Sequence, residues 1–66
     1  MNNQLLSIRE TCSRTTLSRT TLWQKVKRGE FPKPIGLGDG IRKAFVASEV
    51  DAWIAARVAE RDEVAA

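Results

Sequence analysis

Ser18-Arg19-Thr20-Thr21-Leu22-Trp23-Gln24-Lys25-Val26-Lys27-Arg28-Gly29 is the stretch that decides the fold. Ser18 is an N-cap candidate, because its hydroxyl can accept from a backbone N–H in the first helical turn. Gly29 stops the helix, since glycine takes the left-handed conformation after a helix end without steric cost. Pro32 and Pro34 forbid its resumption. Leu22 and Val26 fall on one stripe, and Leu17 can staple the entry. At about 100° per residue, Thr20, Gln24 and Lys27 fall on the opposite face, flanked by Arg28 and Trp23. The expected element is a short helix, apolar behind and polar-cationic in front.

Upstream, Ser7-Ile8-Arg9-Glu10 has the form of a capping box, which starts another helix at Ile8. Ile8 and Cys12 share one face of it. That helix is expected to end near Ser13 or Arg14, with Thr15-Thr16-Leu17 as a turn. Two short helices joined by a turn of about three or four residues make a helix-turn-helix. Downstream, Ile35-Gly36-Leu37 is a strand candidate, Gly38-Asp39-Gly40 a turn, and residues 41–46 the returning strand, with Phe45 as core anchor. Ser48 is expected to cap a third helix whose first turn carries Glu49 and Asp51. Val50, Trp53, Ile54 and Val58 form its core-facing stripe. Trp53 and Cys12 read as core, and Trp23 as packing the hairpin against the second helix. The expected class is mostly α with a small β-hairpin, a winged helix-turn-helix. Residues 1–66 read as one such domain, with residues 1–6 and 60–66 frayed.

Composition narrows the function classes. The chain has 66 residues, no His, no Tyr and one Cys. Zinc sites with four His/Cys ligands, internal disulfides and tyrosine-nucleophile chemistry are therefore outside its reach. A single Cys suits a reducing compartment. No carboxylate pair set in a pocket is evident, so neither catalytic residues, metal, cofactor nor small-molecule substrate is expected. The first residues lack a basic segment and an apolar run, so no signal peptide is expected, and no stretch approaches a membrane span. A bacterial cytoplasmic protein, on the nucleoid when bound, is the expected location.

Charge is divided along the chain. Net charge is +3, but residues 1–45 carry +6 and residues 46–66 carry −3. A small domain with a basic end and an acidic end is a candidate for docking on a polyanion. The front of residues 18–28 has the chemistry of a major-groove reader. Gln24 can bond an adenine edge in bidentate fashion, Arg19 a guanine edge, and Thr20 a base or a thymine methyl. Ser18, Thr20, Thr21 and the first-turn N–H groups can hold a phosphate. Lys25, Lys27, Arg28 and Lys33 add flanking charge. Arg42 and Lys43 sit beside the hairpin tip and can enter a minor groove or rest on phosphates, although Asp39 works against that. The assigned DNA-binding set is Ser18, Arg19, Thr20, Thr21, Gln24, Lys27, Arg28, Lys33, Arg42 and Lys43.

Several of these stretches together carry a resemblance. Ile8-Arg9-Glu10, Leu17 to Trp23, Gly29-Glu30-Phe31-Pro32-Lys33-Pro34, Leu37-Gly38 and Ser48-Glu49-Val50-Asp51-Ala52-Trp53-Ile54 resemble the small AlpA-type prophage regulators and excisionases. The resemblance spans roughly residues 5–57, with the F-P-K-P link and the S-E-V-D-A-W-I helix as its most specific parts. It implies a MerR-like winged-helix fold and binding to double-stranded DNA. It further implies either a recombination directionality factor that bends DNA at an attachment site and helps an integrase excise, or a transcriptional regulator. Three positions depart from the family pattern. Thr16 stands where the turn usually holds Gly, Lys25 where an apolar residue is frequent, and Ala44 where an Arg precedes the wing aromatic. Arg42 shares the Ala44 face of the strand and can supply that charge.

The leading expectation is an excisionase-like DNA-binding factor, and the alternative is a transcriptional regulator using the same surface. A third reading is a protein–protein adaptor of an integrase or repressor, working through the third helix. Expected partners are duplex DNA, a phage-type integrase, and further copies on tandem DNA sites.

Overall fold

The Ser7 capping box forms as its residue types require. Ser7 Oγ accepts from the Glu10 N–H at 3.0 Å, and Glu10 Oε1 accepts from the Ser7 N–H at 3.1 Å. These bonds satisfy two orphan donors and start α1 (Ile8–Thr15). The structure is a computed structural model that describes residues 4–38 and 40–65. Expectations for residues 1–3, Asp39 and residue 66 lie outside those residues.

The element order is β1 (Leu5–Leu6), α1, α2 (Arg19–Lys27), β2 (Ile35–Gly36), β3 (Lys43–Val46) and α3 (Ala47–Ala65). Helix α1 runs slightly past its expected end. Thr15 Oγ1 donates to the Thr11 carbonyl at 2.8 Å and accepts from the Leu17 N–H at 3.4 Å. Thr16 then takes φ 60°, the left-handed conformation. A β-branched side chain pays for that conformation, which is why Gly is usual at such a turn.

Ser18 caps α2 by accepting from the Thr21 N–H at 3.1 Å. At the other end the Gly29 N–H reaches the Val26 carbonyl at 3.1 Å and the Glu30 N–H reaches the Lys25 carbonyl at 2.8 Å. With Gly29 at φ 76°, this is a Schellman motif.

The sheet has three strands in the order β1-β3-β2, one more than the hairpin read from sequence. Leu5 and Leu6, expected to fray, instead pair antiparallel with Val46 and Phe45. Leu6 is 1% exposed, so burial holds this end down. In the hairpin, Ile35 faces Ala44 and Gly36 faces Lys43, and the Leu37 N–H donates to the Arg42 carbonyl at 3.0 Å. The return strand is shorter than expected because pairing beyond that bond gives way to the turn.

Two expectations about α3 need correction. The helix starts at Ala47, whose N–H donates to the Gln4 carbonyl at 2.8 Å, so Ser48 sits inside the first turn and is not the cap. The core stripe also ends early. Val50 is fully buried and Trp53 and Ile54 pack on the core, but Val58 is 42% exposed. The helix continues through Ala65, past residue 60 where fraying was expected.

Leu6, Leu22, Phe31, Phe45, Ala47 and Val50 form the core, with Ile8, Cys12, Leu17, Trp23, Val26, Trp53 and Ile54 packed around it. Phe45 sits at its centre. Its ring meets Phe31 edge-on at 5.4 Å and Trp23 at 6.0 Å, and Phe31 meets Trp53 at 4.9 Å. Trp53 Nε1 donates to the Glu30 carbonyl at 2.7 Å, which pins the link after α2 to α3. Thr11, a fully buried polar residue, donates its hydroxyl to the Ser7 carbonyl at 2.8 Å.

Two predictions follow from the α1 ends. Thr16→Gly relieves a left-handed strain of about 1–2 kcal/mol and loses about 0.5–1 to unfolded-chain entropy. A net gain of up to about 1.5 kcal/mol should raise the melting temperature by several degrees, and a lowered melting temperature contradicts the strain. The second concerns Glu10, whose carboxyl is held below the ordinary glutamate value of 4.5, chiefly by the Ser7 backbone N–H and then by its hydroxyl. That stabilisation is present above the ordinary value and fades as pH falls through the lowered one. The stability gap between the native chain and Glu10→Ala should therefore close in acid. A gap unchanged at low pH rules out the capping carboxylate as its source.

Candidate nucleic-acid interface

Helix α2 is anchored from behind. Leu22 is fully buried, Val26 packs on the core, and Trp23 is half-buried against Phe45. Its front is thereby turned to solvent. Thr20, Gln24 and Lys27 are exposed on one face, as their i, i+4, i+7 spacing requires, with exposed Arg19 and Arg28 at the two ends.

The N-terminal turn is partly committed to its own cap. Besides accepting from the Thr21 N–H, Ser18 Oγ donates to Thr21 Oγ1 at 2.9 Å. Thr21 is half-buried and keeps its own hydroxyl proton for an outside acceptor. Ser18 acts first as a cap, and the Arg19 and Thr20 N–H groups are the first-turn donors that point outward.

Lys33 is exposed on the 30–34 link, which Phe31 and Trp53 hold in place. Arg42 and Lys43 are exposed at the neck of the hairpin. All ten assigned residues thus lie in described parts of the chain, and only Thr21 is not fully at the surface. Seven of them belong to the cap-to-cap span of α2, with Ser18 as its N-cap and Arg28 as its C-cap. The other three come from the link and the hairpin, separate elements joined through the aromatic core.

Ion pairing sorts the cations further. Arg14, unassigned from sequence, donates to Asp51 at 3.0 Å, which ties α1 to α3. Nothing local in the sequence signals this pair, because its members lie 37 residues apart. Lys25, read as a flanking phosphate contact, is half-buried with its ammonium 3.9 Å from Glu30. It belongs to the α2 end rather than to the front. Arg19, Lys27, Arg28, Lys33 and Lys43 make no ion pair among the described residues. In α3, Glu60 pairs with Arg57 at 2.7 Å and Asp62 with Arg61 at 3.0 Å. None of the ion pairs among the described residues takes a cation from the α2 front.

The described residues enclose no pocket and contain no group of three metal-ligating side chains. No helix among them is long and apolar enough to cross a membrane. The candidate site is an open, convex surface.

Comparison with known proteins gives this surface a context. Residues 4–58 match the family described as the prophage CP4-57 regulatory protein, AlpA. An uncharacterised protein, ORF88, of Enterobacteria phage P4 is 47% identical over 45 residues, which is 68% of this chain. The chain spans about half the length of that relative, with 50% of it covered. No solved structure matches. The family match covers the capping box, the helix-turn-helix, the link, the hairpin and the start of α3, and the chain belongs to the AlpA family of prophage regulatory proteins.

Proposed function

We propose that this protein binds double-stranded DNA through the front of α2 and acts as an excisionase-like recombination directionality factor, without catalytic chemistry of its own. The observation that carries the reading is the exposed Thr20-Gln24-Lys27 face with unpaired Arg19 and Arg28 at its ends. A helix of this width fits the major groove of B-DNA, where Gln24 meets base edges and the cations meet phosphates. Lys33 and the hairpin cations extend the phosphate track beyond the helix.

Size supports the need for partners. A single module of this kind buries about 600–1,000 Å² on DNA, which is little for tight binding by one copy. Occupancy of tandem sites, or assistance from a phage-type integrase, supplies the remainder. DNA bending at an attachment site is the part of the reading that an integrase would use. Such a protein works in the bacterial cytoplasm, where the DNA is.

A second reading is control of transcription from the same surface, which the regulatory description of the family favours. An excision assay with a cognate integrase, run beside a promoter-reporter assay, separates the two. The adaptor reading makes a different demand: charge reversal at Arg19 and Lys27 would leave function intact.

The binding surface itself has a quantitative signature. With about five phosphate contacts, log K should fall against log salt with a slope of about −4.5, and a flat response contradicts an electrostatic footprint. Gln24→Ala should change sequence preference at a cost of about 1–3 kcal/mol, whereas Lys27→Ala should weaken all sequences alike and reduce the slope by about one. Equal losses on cognate and scrambled duplex for Gln24→Ala would remove its base-reading role.

A further inference from the structure

The Ile41 side chain stands out in water. It is 86% exposed, while Ile35, Leu37, Leu5 and Val58 are each less than half exposed. A side chain left in water this way adds almost nothing to folding stability. The neck of the hairpin that carries it is paired. The Leu37 N–H donates to the Arg42 carbonyl at 3.0 Å directly beneath it. Gly38 and Gly40 take φ 96° and 77°, so the backbone reverses in a conformation other residues resist. β3 is held in turn by β1 on one side and β2 on the other.

The surroundings define what such a tip would meet. Exposed Arg42 and Lys43 follow Ile41 directly in the chain, and Leu37, 46% exposed, lies across the neck. Asp39 lies outside the described residues. The hairpin thus presents an exposed β-branched side chain next to cations. Their positive charge complements the duplex proposed for α2: phosphates line the rims of the minor groove, and an aliphatic side chain beside them can enter between base pairs on its floor.

Resting on the DNA-binding reading of α2, we infer that Ile41 inserts into the minor groove beside the α2 site, parts two stacked base pairs and kinks the duplex. This gives the proposed bend a residue and a mechanism. It also gives the protein a second source of specificity. Unstacking is easiest at pyrimidine–purine steps, so such a step should be favoured under the hairpin although no side chain there bonds a base edge.

The test uses the full chain and short duplexes that it enriches from a random-sequence pool. 2-Aminopurine is placed at each position of the enriched duplex in turn, and the bend is read by energy transfer between the duplex ends. The wild-type chain should produce a several-fold fluorescence rise at one step and a bend centred there. Ile41→Ser should fold normally by circular dichroism, since the residue packs on nothing in the core. It should lose the rise and most of the bend, and bind within about tenfold of wild type, because the burial lost and the unstacking avoided partly cancel. Its salt slope should be unchanged, since no charge is removed. Ile41→Leu should keep the rise. If wild type binds but unstacks no step, or Ile41→Ser keeps the rise, the wedge is overturned and the α2 reading stands. If Ile41→Ser loses only cooperative occupancy of tandem sites, the tip touches a second copy and the wedge is again overturned. If wild type ignores duplex DNA at low salt, both readings fall.

Discussion

The Phe45 ring is the contact on which the rest of the molecule depends. It is fully buried on the middle strand, and it touches Trp23 from α2 and Phe31 from the link. Phe31 passes the contact to Trp53 of α3, whose indole N–H holds the Glu30 carbonyl. One run of rings therefore joins the hairpin, α2, the link and α3. A domain of this size has total stability of only about 3–10 kcal/mol, and truncating one central aromatic costs about 3–5. The angle between the α2 front and the hairpin is set by these few rings rather than by an extensive core.

Electrostatics then decides what the rings present. The basic front of the chain and its acidic back are neighbours in space as well as opposites in charge. Asp51 takes Arg14, Glu30 lies near Lys25, and the distal acids of α3 take arginines on their own helix. Exposed pairs of this kind are worth little to stability. Their consequence is selective: the cations they engage are those behind or beside α2. Arg57 in addition lies 5.5 Å from the centre of the Trp53 ring, on the side of the molecule that carries the acids. Among the described residues the cations without an ion pair include Arg19, Lys27 and Arg28 of α2, Lys33 of the link and Lys43 of the hairpin.

Much of this was legible because it is local. The Ser7 and Ser18 caps, the Gly29 stop, the proline link and the position of Phe45 each follow from residue types within a few positions of one another. The exposure of Thr20, Gln24 and Lys27 was legible for the same reason, since helical spacing alone turns them outward once Leu22 is buried. What the sequence concealed is non-local. Leu5-Leu6 is too short to carry strand periodicity, and only Val46 and Phe45 across the sheet make it a strand. Ser48 has the chemistry of a cap, yet with the Ala47 N–H on the Gln4 carbonyl the helix begins two residues sooner, at Ala47 rather than Glu49. Lys25 looks like any other cation until Glu30 turns back over it. The Gly-to-Thr departure at residue 16 was visible as a departure, but its left-handed backbone was not.

The central claim is that the α2 front is the surface that meets duplex DNA. Backbone amide NMR of the isotope-labelled chain, titrated at low salt with a duplex it enriches from a random pool, tests this most directly. The account predicts that the amides of Arg19, Thr20, Gln24, Lys27 and Arg28 shift together with Lys33 and Lys43, while those of Glu60, Arg61 and Asp62 stay fixed. Shifts confined to α3, or no shift at all with the duplex in excess, would contradict it.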